Sequence, residues 1–198
     1  MKKRTFEVNR RTRETNIAVR LNLDGMGIAQ ITTGIGFFDH MLGALAKHGL
    51  FDLKVKAKPV GAFDEHHIVE DIAIALGQAL DSALCDKKGI RRFGFTTVPM
   101  DEALASVSVD ISGRGYSMIK ASFKRVTISD LSSELVAHFL EAFALNGKFT
   151  LHVDLVRGEN DHHKAEAIFK ALGVALKEAV QIEPRAKGQI PSQKGTLS

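Results

Sequence analysis

The chain has a single cysteine, Cys85, and no tryptophan. One thiol excludes an intrachain disulfide, and with it any zinc site closed by several thiolates of one subunit. The same scarcity fits a reducing compartment. Long apolar runs are missing too. The longest, Ile72 to Leu76, falls far short of the roughly 20 residues a membrane-spanning helix needs. The start, Met1-Lys2-Lys3-Arg4, is basic like a signal peptide, but Thr5, Glu7, Asn9 and Arg10 interrupt before any apolar stretch develops. A cytoplasmic protein without membrane contact is therefore expected. A glycine-rich phosphate loop is lacking as well: Gly25-x-Gly27, Gly34-x-Gly36 and Gly113-x-Gly115 have no third glycine at the required place. Neither sign of charge dominates. With 27 basic and 23 acidic residues the formal charge is +4, a hint of anionic partners. The basic residues are dispersed without interleaved aromatics, so nucleic acid is not among them.

What is present begins with an ordinary globular composition, 44% hydrophobic and 25% charged over 198 residues, enough for a sizeable core without covalent staples. Alternation predicts strands over residues 4–9, from Ile17 to Leu23 before the Asp24-Gly25 turn, from Phe51 to Val55, from Val107 to Ile111, and from Phe149 to Val153. Helical spacing predicts helices from Gly36 to Lys47, from Asp64 to Leu84 and from Asp161 to Val180. A further helix runs to about Ala144 from a cap at Ser129 or Asp130. From Gln181 the chain reads as a polar tail.

The chain also repeats itself. His66-His67-x-x-Glu70 recurs as His162-His163-x-x-Glu166, an offset of 96 (162 − 66). Ile72, Ala75, Leu76, Gly77, Ala79 and Leu80 recur at the same offset. Phe51-x-Leu53-x-Val55 and His40 recur at 98, as Phe149-x-Leu151-x-Val153 and His138. Glu14 and Gly25 recur at 88, as Glu102 and Gly113. This predicts one α+β domain over 1–198, made of two β-β-α-β-α halves (about 1–91 and 92–180) plus the tail 181–198.

The repeat organises the histidines. Six of the eight obey it; His48 and His152 do not. On a helix, the first His and the Glu of H-H-x-x-E share a face and can hold one ion. The second His points about 100° away and suits a different metal. Two such helices would each give a His/Glu pair to one metal and a lone His to another. Imidazole and carboxylate without thiolate suit Mn, Fe, Ni or Zn. A lone His-His pair on a helix is usually a surface feature, but packing does not require the same imidazoles twice. A di-metal hydrolase and a metal-assembled storage or shell protein are the competing readings of the histidines alone.

Several strings resemble the imidazoleglycerol-phosphate dehydratase family, in order and over nearly the whole chain. They are Gly36-Phe37-Phe38-Asp39-His40-Met41-Leu42, Asp64-Glu65-His66-His67-Ile68-Val69-Glu70-Asp71, Pro99-Met100-Asp101-Glu102-Ala103, Ser112-Gly113-Arg114, the segment Asn160 to Ala171, and Pro191-Ser192-Gln193-Lys194-Gly195. Departures from the family pattern at Glu65, Gly115 and Gln193 remove no ligand. The resemblance implies a monofunctional dehydratase of histidine biosynthesis, converting imidazole glycerol phosphate to imidazole acetol phosphate through a metal-stabilised imidazolate and a diazafulvene-like intermediate. It implies two Mn²⁺ per active site, one on His40, His67, His162 and Glu166, the other on His66, Glu70, His138 and His163. It also implies Glu14 as the acid/base carboxylate and Arg92, Arg114, Lys170, Ser192 and Lys194 on the phosphate of a small phosphorylated imidazole. The implied assembly is a homo-oligomer of 24 subunits with the metals at subunit contacts. The implied fold is ribosomal S5 domain 2-like, with helices packed between two four-stranded sheets.

Overall fold

The computed structural model describes residues 3–60 and 64–197. Its elements in chain order are β1 (Thr5–Arg11), β2 (Thr15–Asn22), β3 (Ala29–Thr32), α1 (Gly36–Gly49), β4 (Asp52–Pro59), α2 (Glu65–Ala83), β5 (Phe93–Met100), β6 (Ala103–Asp110), β7 (Tyr116–Lys120), the two-residue strands β8 (Thr127–Ile128) and β9 (Leu131–Ser132), α3 (Glu134–Gly147), β10 (Thr150–Arg157) and α4 (Asp161–Val180). The tail carries one short 3-10 turn, Pro184–Ala186, and Ile182 bridges back to Ile90.

The duplicated halves are plain in the topology. One sheet has the order β1-β2-β4-β3 and the other β5-β6-β10-β7. In each, the outermost strand of the crossover pairs in parallel with its neighbour, β3 with β4 and β7 with β10, while the remaining pairs are antiparallel. The first half thus adds β3 to the three strands that alternation predicts, and the second adds β5 and β7, besides the two-residue β8 and β9, to the two predicted there. Ala29–Thr32 turns only Ile31 partly inward. Tyr116–Lys120 carries apolar side chains on both faces, with Tyr116 and Met118 exposed. Neither segment alternates clearly enough to be read as a strand.

In β2, Ile17, Val19 and Leu21 point inward and are essentially inaccessible, as are Leu53 and Val55 of β4 and Leu151 and Val153 of β10. Helices cover these faces. α1 and α2 lie on the first sheet, α3 and α4 on the second, and the two helix layers meet in the middle. The pairing there crosses the halves: α1 packs on α4 and α2 on α3. Two glycines related by the repeat permit the approach. A Cβ on Gly77 would stand 2.6 Å from Gly147 N, and one on Gly173 would stand 2.5 Å from Leu45 O. Both are closer than side-chain atoms pack, so these contacts require glycine.

One predicted cap is wrong. α3 starts at Glu134, after Ser129 has adopted a left-handed φ of 57°, so neither Ser129 nor Asp130 opens it. The Asp130 carboxylate instead accepts the N–H groups of Gly36 (2.6 Å) and Phe37 (2.8 Å), capping α1 of the other half.

All four helices begin on the same edge of the molecule. α1 and α3 are crossover helices between parallel strands and so run against them; α2 and α4 follow β4 and β10 and return over the same sheets. In each cross-half pair the histidines meet at one end and the glycines at the other.

Candidate metal centre

The first turns of α2 and α4 are fixed in the same way. The Asp64 side chain accepts His66 N–H (3.0 Å), and the Asn160 side chain accepts His162 N–H (2.9 Å). These caps satisfy backbone donors that a helix start leaves free. They also hold the two His-His pairs at the same place in each half. α1 and α3 then bring His40 and His138 alongside, in the opposite pairing.

Two groups of metal-ligating side chains result, His40/His162/Glu166 and His66/Glu70/His138, each with one candidate ligand atom per residue lying within 4.8 Å of the others. Each is built from both halves. In the first, His40 Nε2 and His162 Nε2 stand 3.4 and 3.3 Å from the same Glu166 oxygen. The other Glu166 oxygen is 2.8 Å from Lys170 Nζ. Glu166 is buried. Burial pushes its carboxyl up, but the Lys170 ammonium and His40 outweigh that and leave it below the usual carboxylate range. In the second group, His66 Nε2 and His138 Nε2 stand 3.8 and 4.0 Å from the two Glu70 oxygens, and the two rings stack at 4.4 Å. His138 Nε2 is buried and has no hydrogen-bond partner among the described residues. A buried nitrogen left in this state normally costs free energy. Here it faces a carboxylate and a second imidazole, so a divalent cation would satisfy it. Both donor sets, two imidazoles and one carboxylate without sulfur, fit a first-row divalent ion.

His67 and His163 join neither group within this chain. Each ring is nearly perpendicular to its neighbour's, at 86° and 88°, and the two side chains of each pair leave the helix about 100° apart. Each faces a carboxylate from its own half. His67 Nε2 is 3.7 Å from Glu14, and His163 Nδ1 is 2.7 Å from Glu102, with Asp101 at 3.7 Å from its Nε2. The hydrogen bond from His163 holds Glu102 down to about 2, helped by backbone N–H groups of the α4 entry, while Glu102 raises His163. In the sequence Glu102 is a repeat position and part of the Pro99–Ala103 string, with no role assigned to it. Its alignment with Glu14 is the signal that could have flagged it.

The predicted phosphate residues separate into two places. Arg92, at a left-handed φ of 73° just before β5, pairs with Asp110 at 2.7 and 3.1 Å and donates to Pro191 O at 2.9 Å, tying down the tail that carries Ser192 and Lys194. Arg114 follows the end of β6 nearby, in a turn where its N–H donates to Ser112 Oγ. Lys170 lies at the far end of β5, against Met100 and Glu166.

Fold and site together define a duplicated α+β protein with two histidine-carboxylate clusters, each able to hold a metal ion, that straddle its halves. Comparison with known proteins makes this specific. The family model for imidazoleglycerol-phosphate dehydratase matches residues 33–176. The chain is 51% identical over 197 residues to the imidazoleglycerol-phosphate dehydratase of Dehalococcoides mccartyi strain CBDB1, covering 100% of this chain and 99% of the relative. It is 52% identical over 194 residues to that of Methanosarcina barkeri, covering 98% and 100%. Among solved structures, the Staphylococcus aureus dehydratase superposes with a TM-score of 0.82 at 37% identity, covering 90% of this chain and 99% of that one. The Pyrococcus furiosus enzyme superposes at 0.81 and 35%, covering 96% and 100%. The chain belongs to the imidazoleglycerol-phosphate dehydratase family, whose members depend on metal. Among the described residues no helix is long and apolar enough to cross a membrane.

Proposed function

We propose that this protein removes water from D-erythro-imidazole glycerol phosphate to give imidazole acetol phosphate, a hydro-lyase step of histidine biosynthesis in the cytoplasm. The observation that carries the reading is the pair of three-donor clusters, one containing the orphaned His138 Nε2. In this reading two Mn²⁺ serve each active site. His40, His162 and Glu166 hold one, and His66, Glu70 and His138 the other. His67 and His163 complete the coordination from neighbouring copies, which accounts for their being turned away from both clusters within a chain. Bound divalent ions would draw negative charge onto the imidazole ring of the substrate, acidifying a carbon that has no carbonyl beside it.

The residues of the chain supply the rest. Glu14, with its side chain about half exposed beside His67, takes the proton from that carbon as the ring expels the neighbouring hydroxyl. It then shuttles a proton while the enol becomes the ketone. Arg92, Arg114, Ser192 and Lys194 at one end of β5, and Lys170 at the other, bind the phosphate. Eight residues of strand separate these ends by roughly 25 Å, too far for one glycerol phosphate to touch both within a single chain. That separation supports a composite site in a homo-oligomer, proposed as 24 subunits. Assay of imidazole glycerol phosphate after chelation, and again with Mn²⁺ restored, tests the reading. Loss and recovery of turnover are expected. Metal binding without turnover under either condition would leave the storage reading standing, and turnover unaffected by chelation would remove the metals from the mechanism.

A further inference from the structure

Glu102 sits in the tight β5–β6 turn, directly after Asp101, whose φ is 47°. Its carboxylate does two things at once. Oε1 accepts the N–H groups of Glu159 (3.1 Å) and Asn160 (2.7 Å), the residues that lead into α4. Oε2 lies 2.7 Å from Nδ1 of His163. A carboxylate that already accepts two backbone donors acts as an acceptor only, so the shared proton belongs to Nδ1 of the ring. A neutral imidazole protonated at Nδ1 has its lone pair on Nε2. In the first half the repeat-related carboxylate, Glu14, lies near the other nitrogen of its histidine, 3.7 Å from His67 Nε2.

We infer that Glu102 is a positioning residue that fixes His163 as an Nε2 ligand, in ring orientation and tautomer, while the same carboxylate holds the entry to α4. This rests on the reading of His163 as a metal ligand given above. Two consequences follow. The repeat-related carboxylates have separated in role: Glu102 is spent on a histidine and a helix start, whereas Glu14 is free to move a proton. The two metal sites are also unequal, because among the described residues only His163 is held at Nδ1 by a hydrogen-bonded carboxylate. Such outer partners typically carry a factor of about 10–100 in metal affinity.

The test uses the full-length protein in two arms. Solid-state NMR of the metal-free, ¹⁵N-histidine-labelled protein at pH 8.5, with His163 assigned by the signal lost in H163Q, should show the Nδ1–H tautomer. E102A should shift that signal toward Nε2–H. An Nε2–H tautomer in the wild type, or an unchanged signal in E102A, overturns the inference. In Mn²⁺ titrations, E102A should weaken one of two binding steps about 10–100-fold, leaving the other step close to wild type, while E14Q leaves both steps intact. Equal weakening of both steps, or of neither, overturns it as well. A wild-type protein that binds no Mn²⁺ would remove the metal reading itself, and the tautomer arm would then decide alone whether Glu102 sets the ring.

Discussion

The two halves of this chain agree where the metal ligands are and part company around them. Both have the same sheet order, the same side-chain cap before the His-His pair, and the same glycine at the helix crossing. The surroundings differ. Glu166 is buried and paired with Lys170, but the residue that corresponds to Lys170 (170 − 96) is Ile74. Glu70 therefore has no lysine one turn on, and its side chain is 40% exposed. The outer face of the first sheet presents Arg20, Lys54 and Lys56, whereas the second presents Phe93, Phe95, Tyr116 and Met118. Duplication has preserved the two three-donor clusters. It has released the charge and burial around them.

The sharpest break of this near-symmetry is between the carboxylates. E14Q should lower kcat by about 10²–10⁴-fold, the usual worth of a general acid or base, with metal content unchanged by elemental analysis. Normal turnover in E14Q would remove the residue from the mechanism. The glycines test the opposite claim, that the halves are equivalent in packing. G77V and G173V should each cost about 3 kcal/mol, the upper range for overpacking, in urea unfolding of the metal-free protein. A large difference between the two would mean that the crossings are not matched.

The smallest effect concerns Lys170. Because the folded Glu166 carboxyl is held below its unfolded value, the pair stabilises the native state above the ordinary carboxylate range, and that stability fades as pH falls through the folded value. K170M should therefore destabilise the metal-free protein by about 1.5 kcal/mol at pH 7, a charged hydrogen bond's worth. The gap should narrow below about pH 4.5. A gap that stays constant with pH would show that Lys170 acts by packing alone.

Much of this arrangement was legible in the sequence, for reasons that differ by element. β2 buries every second side chain, and β4 and β10 do so at Leu53, Val55, Leu151 and Val153, so their period is unmistakable, and α2 and α4 carry long apolar faces behind good N-terminal caps. The six matched histidines stood out because imidazole repeated at fixed offsets has no packing explanation. What stayed hidden depends on partners distant in the chain. Asp130 looked like a cap for its own helix, but the chain around it turns through Ser129 and spends the carboxylate on α1, 94 residues away. The pairing of α1 with α4 and α2 with α3 cannot be read from either half alone, since both halves expose suitable faces. Glu102 was visible as a repeat position. Its hold on His163 emerged only once the β5–β6 turn and the start of α4 lay side by side.

The common direction of the four helices gives the molecule an electrical polarity. Each helix start carries about half a positive charge, and four of them open on the edge where the histidines sit. That edge is a poor place for bare cations and a good one for anions. A divalent ion bound there would work against the backbone's own field, and Glu70 and Glu166 are the local charges that would offset it. In the proposed reaction, a substrate bringing a phosphate and gathering negative charge on its ring would move down the same gradient.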